Sequence, residues 1–309
     1  MIWLQIVGYL LLFVGSISSS VSMNFQKLAQ HEIFFHDPRT RNSKRPQPLK
    51  TTVFTRPLFI IAIFLSVAAS TLDFMALTWL PPSTVGVFGS MSIIINILVT
   101  RVILFEKPSK EEWVAITYVI LGCLLAISVT PDHDSGMPIP QLLERPISYI
   151  YIILNWIIFI LFYFALENIT LPKSIQRFGY PFIAGALGAQ NVCMGKYLAY
   201  GVSTMQDGCL TIRTDNFCAA IILCLTSIII HVFWLNKGLE KYDAYFCIII
   251  YQTSWFIFTT ISGIVVYDDM SVLSTVEKII FIIGLLTAIY GVKRISVIHK
   301  ETTLESNEP

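Results

Sequence analysis

The sequence predicts an all-α polytopic membrane protein: nine transmembrane helices, built as two four-helix units around one linking helix, with the second unit inverted. Three observations carry this expectation. The chain is 55% hydrophobic and only 13% charged, with a mean hydropathy of +0.69, which excludes a soluble globular domain. Apolar stretches long enough for a hydrocarbon core of about 30 Å recur nine times along it. Residues 74–127 also match residues 236–289 without a gap, at a constant offset of 162.

The apolar stretches run at roughly 2–28, 57–79, 83–105, 112–130, 148–168, 180–203, 215–236, 243–267 and 275–297. Positive charge tests the count, because Lys and Arg accumulate in short cytoplasmic loops. With nine crossings, fifteen basic residues fall on one side, from Arg39 to Lys300, and only Arg145, Arg213 and Lys278 on the other. The expected orientation therefore has the N-terminus outside or lumenal and the C-terminus in the cytosol, in the plasma membrane or an endomembrane. No basic residue precedes the first apolar stretch, which is longer than a signal-peptide core, so it reads as an uncleaved anchor. The basic loop at 31–56, with Pro38, Pro46 and Pro48, is expected to be disordered and to lie against anionic lipid.

The matched segments share ten identities, among them Ser92/Ser254, Gly122/Gly284 and Ala126/Ala288, about twice what chance gives in so apolar a chain. An odd number of crossings separates the two copies, so the second is upside down. Inverted repeats are the architecture of secondary carriers, whose substrate sites lie near the midplane where the halves meet. On this basis residues 1–130 form the first unit, 148–168 the linking helix, 180–297 the second unit and 298–309 a cytosolic tail. Lys27-Leu28-Ala29 and Lys196-Tyr197-Leu198-Ala199 fall where the first helix of each unit is expected to correspond.

Six cysteines sit mostly inside helices, at neither disulfide-framework nor metal-ligand spacing. They read as small core residues, with Cys209 and Cys218 the one plausible disulfide. No cofactor is expected. The net charge of +1 points to no polyanionic partner, and a nucleic-acid role is not expected. The bilayer is the one environment the composition requires, and the oligomeric state is not legible.

Asp73-Phe74 to Pro81, then Gly89-Ser90-Met91-Ser92-Ile93-Ile94, Glu106-Lys107 and Leu121-Gly122-Cys123 resemble the first half of NIPA-type magnesium transporters. Leu235-Asn236-Lys237-Gly238-Leu239-Glu240, Tyr251 and Tyr267-Asp268-Asp269 resemble the second half. The resemblance covers most of residues 57–130 and 180–295, and the block at 235–240 is its most specific piece. It implies a fold of the drug/metabolite transporter superfamily and magnesium or another divalent cation as substrate. The chain departs from the family pattern at Ser70, where a Glu is usual, at Asp73, which stands at an Asn position, and at Val87 and Ile249, which replace prolines.

A carboxylate within a transmembrane segment is a functional candidate, since inserting it costs about 2.5 kcal/mol or more without a polar partner. Asp73 is the deepest such group. It reads either as a cation ligand or proton site, or as an interfacial Asp wetted from outside or bonded to a neighbouring Ser. Magnesium is a hard cation that keeps several waters, so one or two carboxylates with neutral oxygens suffice. Ser16, Ser20 and Asn24 repeat every four residues on one helix face, and Gln190 and Asn191 offer amides from the sixth expected helix. The serines serve equally for close helix packing.

Lys196 is expected to snorkel to the outer interface. Pointing inward, it would pair with Asp73 or favour an anion. Lys27 and Arg101 are expected to snorkel to the cytosol. His231 reads as a proton-coupling group or a hydrogen-bonded structural residue. Glu106, Asp268 and Asp269 end equivalent helices and read either as mouth residues that draw in cations or as solvated helix ends. Asn236 and Asp243 are expected to cap the turn between the seventh and eighth helices.

No nucleophile elbow, zinc-spaced His pair or phosphate loop is present, so an enzyme is not expected. The expected function is divalent-cation transport by alternating access. A metabolite or nucleotide-sugar carrier of the same superfamily, and a nontransporting membrane scaffold, remain as alternatives.

Overall fold

The computed structural model describes residues 2–36, 57–104, 110–129, 139–169, 171–205, 213–242 and 244–305. Among them every regular element is a helix: α1 (Ile2–His36), α2 (Pro57–Ala76), α3 (Pro82–Leu104), α4 (Lys110–Ser128), α5 (Ile139–Leu143), α6 (Pro146–Asn168), α7 (Lys173–Ser203), α8 (Thr214–Lys241), α9 (Ala244–Val266) and α10 (Thr275–Glu305). Five contain segments long and apolar enough to cross a membrane: Trp3–Gln26, Pro57–Ala76, Pro146–Asn168, Thr214–Lys241 and Cys247–Val266.

The long helix α7 is less apolar for a physical reason: its buried polar side chains, Gln190 and Lys196, face protein. A helix shielded from lipid does not need an apolar circumference.

Several boundaries differ from the expected ones. Residues 31–36, expected in the loop, continue α1. The helix expected from 180 begins at Lys173, with Pro172 as its N-cap, and runs on through Pro181. α8 extends to Lys241, and α10 to Glu305 into the expected tail. An apolar run measures the bilayer, whereas Lys and Glu are good helix formers that carry a helix past it into water. The short α5 was not expected; its Ile139 and Leu143 join the cluster of Cys193, Tyr197 and Tyr267.

Side-chain contacts fix the directions of the helices. α1 runs antiparallel to α2, with Gly8 against Leu80 and Ser22 Oγ donating to the Ala62 carbonyl at 2.6 Å. It runs parallel to α3, meeting it at Ser16–Ser92 and Asn24–Asn96. α7 is likewise antiparallel to α8, with Asn191 beside His231 and Gly238 beside Tyr180. It is parallel to α9, with Gly185 against Ser254 and the Tyr267 hydroxyl donating to the Cys193 carbonyl. α3 crosses α9 antiparallel, with Gly86 on Thr260 and Gly263 on Ser83, and α4 crosses α10 antiparallel at Gly122–Ala288 and Gly284–Ala126. α6 lies outside this arrangement, bonded through the Tyr151 hydroxyl to the Phe258 carbonyl at 3.0 Å.

At the α3–α9 crossing the Trp255 ring occupies the space a Cβ on Gly89 would need. Any side chain there has to move that ring or the helix.

Candidate functional site

Asp73 occupies the last turn of α2, where its own carbonyl accepts from the Leu77 N–H at 3.0 Å. Its half-buried side chain turns toward α1. A Cβ on Gly15 would stand 2.9 Å from Asp73 Oδ1, so the glycine makes the room that the carboxylate occupies. Among the described residues no hydrogen bond or ion pair engages this carboxylate. A bare carboxylate in a membrane-spanning segment is the costliest arrangement it can adopt without a ligand or water.

A second polar group forms around Tyr251 of α9 and its hydroxyl. That hydroxyl lies 3.4 Å from where a Cβ on Gly188 of α7 would sit. The His231 ring of α8 stacks on Tyr251 with centroids 6.2 Å apart and planes inclined by 15°. His231 Nδ1 is 3.3 Å from Asn191 Nδ2 and 3.3 Å from the Ser227 carbonyl, accepting from the first or donating to the second according to its tautomer. The Ser227 hydroxyl donates to Asn191 Oδ1. Helices α7, α8 and α9 thus converge on one polar group of side chains.

The polar face of α1 meets a matching face of α3. Ser92 Oγ donates to Ser16 Oγ at 2.9 Å, and Ser20 Oγ to the Ser92 carbonyl at 3.2 Å. Asn24 Nδ2 donates to Asn96 Oδ1 and to the Ser20 carbonyl, both at 2.8 Å. Ser20 and Asn24, expected in a cation pathway, are therefore bonded within the α1–α3 seam. Asn191 joins the His231 group. Gln190, one residue earlier and so about 100° around the helix, leaves that group and lines a crevice with Asn155, Trp156 and Phe182. It is 3% exposed, and both amide atoms lack partners among the described residues.

Lys196 does not snorkel outward. It is 3% exposed, and its Nζ donates to the Leu80 carbonyl at 3.2 Å, because the corner between α2 and α3 presents a carbonyl within reach. Asp269 is 7% exposed and accepts from the Ser83 N–H at 3.0 Å, in the first turn of α3. Asp268, in the left-handed region at φ 56°, pairs with Arg145 at 2.9 Å. Asp269 is thus a buried junction residue, while Asp268 stays partly exposed beside Arg145. Asn236 lies inside α8 and donates to the Val232 carbonyl at 2.9 Å, so it is not the cap it was expected to be. Glu106, Asp243 and Cys209 lie outside the described residues, as do the side chains of Lys27 and Arg101.

Among the described residues no three His, Cys, Asp or Glu side chains cluster as a metal site. What the described residues offer a cation is the Asp73 carboxylate, which no hydrogen bond or ion pair among them engages. Sequence reasoning missed Tyr251, Ser92, Asn96 and Ser227 as parts of this arrangement. The four-residue spacing of Ser92 and Asn96, equal to that of Ser16, Ser20 and Asn24, was the available signal for two of them.

The family model described as Magnesium transporter NIPA matches residues 4–301. The probable magnesium transporter NIPA8 of Arabidopsis thaliana is 21% identical, covering 93% of this chain and 68% of that protein. The probable magnesium transporter NIPA6 of the same plant is 19% identical over 78% of this chain and 74% of its own length. NIPA-like protein 2 of Mus musculus is 20% identical over 94% and 73% respectively. No solved structure matches. With a family match running almost end to end over a chain of apolar helices, this protein belongs to the NIPA magnesium transporter family.

Proposed function

We propose that this chain carries magnesium, or a related divalent cation, across its membrane by alternating access, with Asp73 as the charged ligand. One observation carries the site: Asp73 is a carboxylate in an apolar helix, given space by Gly15 and engaged by no hydrogen bond or ion pair among the described residues. A hydrated cation supplies what the site lacks, since magnesium is held through one or two carboxylates while keeping several waters. The magnesium assignment rests on the family and on the relatives named as probable magnesium transporters.

In this reading the chain crosses nine times, with the N-terminus outside and the C-terminus cytosolic, and α7–α10 repeat α1–α4 upside down. Two features support the inversion. α3 runs antiparallel to α9, and α4 to α10, while the contacts Gly122–Ala288 and Gly284–Ala126 exchange residues 162 positions apart. The two units rock about the α3–α9 crossing and expose Asp73 to either side in turn, and α6 links them.

The carrier of an anionic metabolite is the second reading, favoured by the inward position of Lys196. Its Nζ is directed at the Leu80 carbonyl, which already supplies an acceptor, so the cation reading stands first.

Uptake into proteoliposomes holding a magnesium-sensitive dye tests it, with wild type compared to Asp73→Asn. Wild-type uptake that the substitution abolishes is the expected result. Uptake that survives the substitution removes Asp73 from the site. A folded wild type that moves no divalent cation overturns the substrate and turns the search to anions.

A further inference from the structure

The crevice between α6 and α7 is a polar place within apolar helices that the Asp73 reading does not use. We propose that it is a binding site for one water molecule, held between Gln190 of α7 and Asn155 of α6. The inference is independent of the cation reading and stands whatever the chain carries.

Gln190 carries the argument. It is 3% exposed, it lines the crevice, and neither Nε2 nor Oε1 meets a partner among the described residues. A buried amide in that condition has given up solvent without gaining a protein partner, which is why such groups are met by protein or by bound water in folded chains. The other polar residue on the same wall is Asn155. Its Nδ2 donates to the Tyr151 carbonyl at 2.9 Å, and its Oδ1 keeps the capacity to accept.

Size and chemistry select the occupant. The cavity volume is about 10 Å³, the room of a single water and too little for a sugar or a nucleobase. Trp156, Phe159, Phe182 and Leu187 make up the apolar wall, and among the described residues no Asp or Glu lines it. A bare cation would stand there without a counter-charge, and an apolar group of the same size would leave the Gln190 amide unpaired. Water both donates and accepts. It accepts from Gln190 Nε2 and donates to Asn155 Oδ1, which gives it the two polar contacts that a buried water needs. α6 is the least buried of the five membrane-length segments, and this water adds a polar tie between it and α7.

Radiolytic hydroxyl-radical labelling of the full chain in proteoliposomes, read by mass spectrometry, tests the site. A bound water generates its radical beside the ring that it then oxidises, at a depth that radicals from bulk water do not reach. Oxygen addition at Trp156 is expected in wild type, with the exposed Trp113 labelled as a positive control and the buried Trp234 unlabelled as the mark of an intact fold. Gln190→Leu and Asn155→Leu should each abolish the Trp156 label and leave Trp113 and Trp234 as in wild type. Two variants are used so that one that unfolds, and so labels Trp234, leaves the other to decide. A wild type labelled at Trp113 and not at Trp156 overturns the inference. So does a Trp156 label that survives either substitution in a folded protein, which marks solvent reaching the ring by another path.

Discussion

Gly122 of α4 lies backbone to backbone with Ala288 of α10, and Gly284 lies in the same way on Ala126, while Gly122 and Gly284, like Ala126 and Ala288, stand 162 positions apart. Small residues at such a crossing let two helices approach closely enough for dispersion contacts along their backbones, which is the main attraction between helices when lipid is the solvent. A Cβ on Gly122 would stand 2.6 Å from the Gly284 carbonyl oxygen, and one on Gly284 2.8 Å from the Ala126 nitrogen. Neither backbone can give way as a flexible side chain would. Gly122→Val and Gly284→Val should each destabilise the fold by about 1–3 kcal/mol through overpacking. Thermal unfolding in detergent measures it, with Leu124→Ala on the exposed face of α4 as the near-neutral control.

The Asn24–Asn96 bond joins α1 to α3 with both residues buried. Asn24→Leu should cost about 1 kcal/mol, the range of interhelical hydrogen bonds in membranes, because Asn96 Oδ1 loses its donor. Asn96→Leu added to it should recover part of the loss, since removing both partners leaves no unpaired group. Denaturant titration of the single and double variants reads this directly. Equal losses that simply add would mean the two amides are not coupled.

Asp269 receives the Ser83 N–H at the start of α3. Asp269→Ala should cost about 1 kcal/mol, as for other lost N-terminal caps, and Asp269→Asn less because an acceptor oxygen remains. Hydrogen exchange localises the effect. Faster exchange at Ser83 and Thr84 is expected in Asp269→Ala, and protection equal to wild type would remove Asp269 as the cap.

Ser274 and Glu277 form a reciprocal capping box at the start of α10. The Ser274 N–H donates to Glu277 Oε2 at 2.7 Å, and the Glu277 N–H donates to Ser274 Oγ at 3.3 Å. The Ser274 backbone bond, and after it the Ser274 side chain, hold the Glu277 carboxyl below its ordinary value of 4.5. A depressed carboxyl stabilises the fold above its ordinary value, and that contribution is lost as pH falls through the lower folded one. The stability difference between wild type and Glu277→Gln should therefore be present at neutral pH and shrink below about pH 4.5. A difference that holds constant into acid would exclude this linkage.

The helices were legible in the sequence to the extent that they face lipid, because lipid contact imposes an apolar run that can be read locally. Their ends were less legible: α1, α7, α8 and α10 all continue beyond their apolar runs, where nothing in hydropathy marks the stop. Asp73 stood out in the sequence by its cost in a membrane helix. The bond between Ser227 and Asn191 did not, because it joins side chains of two helices that no local pattern pairs.

The sequence alone determined that the chain is a bundle of apolar helices, for composition and hydropathy are properties of the chain itself. Tertiary structure decided which polar groups meet. Lys196 turns inward because the Leu80 carbonyl, 116 residues away, is there to receive it. Asp269 caps a helix 186 residues before it. Ser20 and Asn24 spend their hydrogen bonds on α3, 72 residues further along. The cost of leaving a polar group unpaired in an apolar surround selects these partners, and that selection acts on distances in space, which a linear order of residues does not contain.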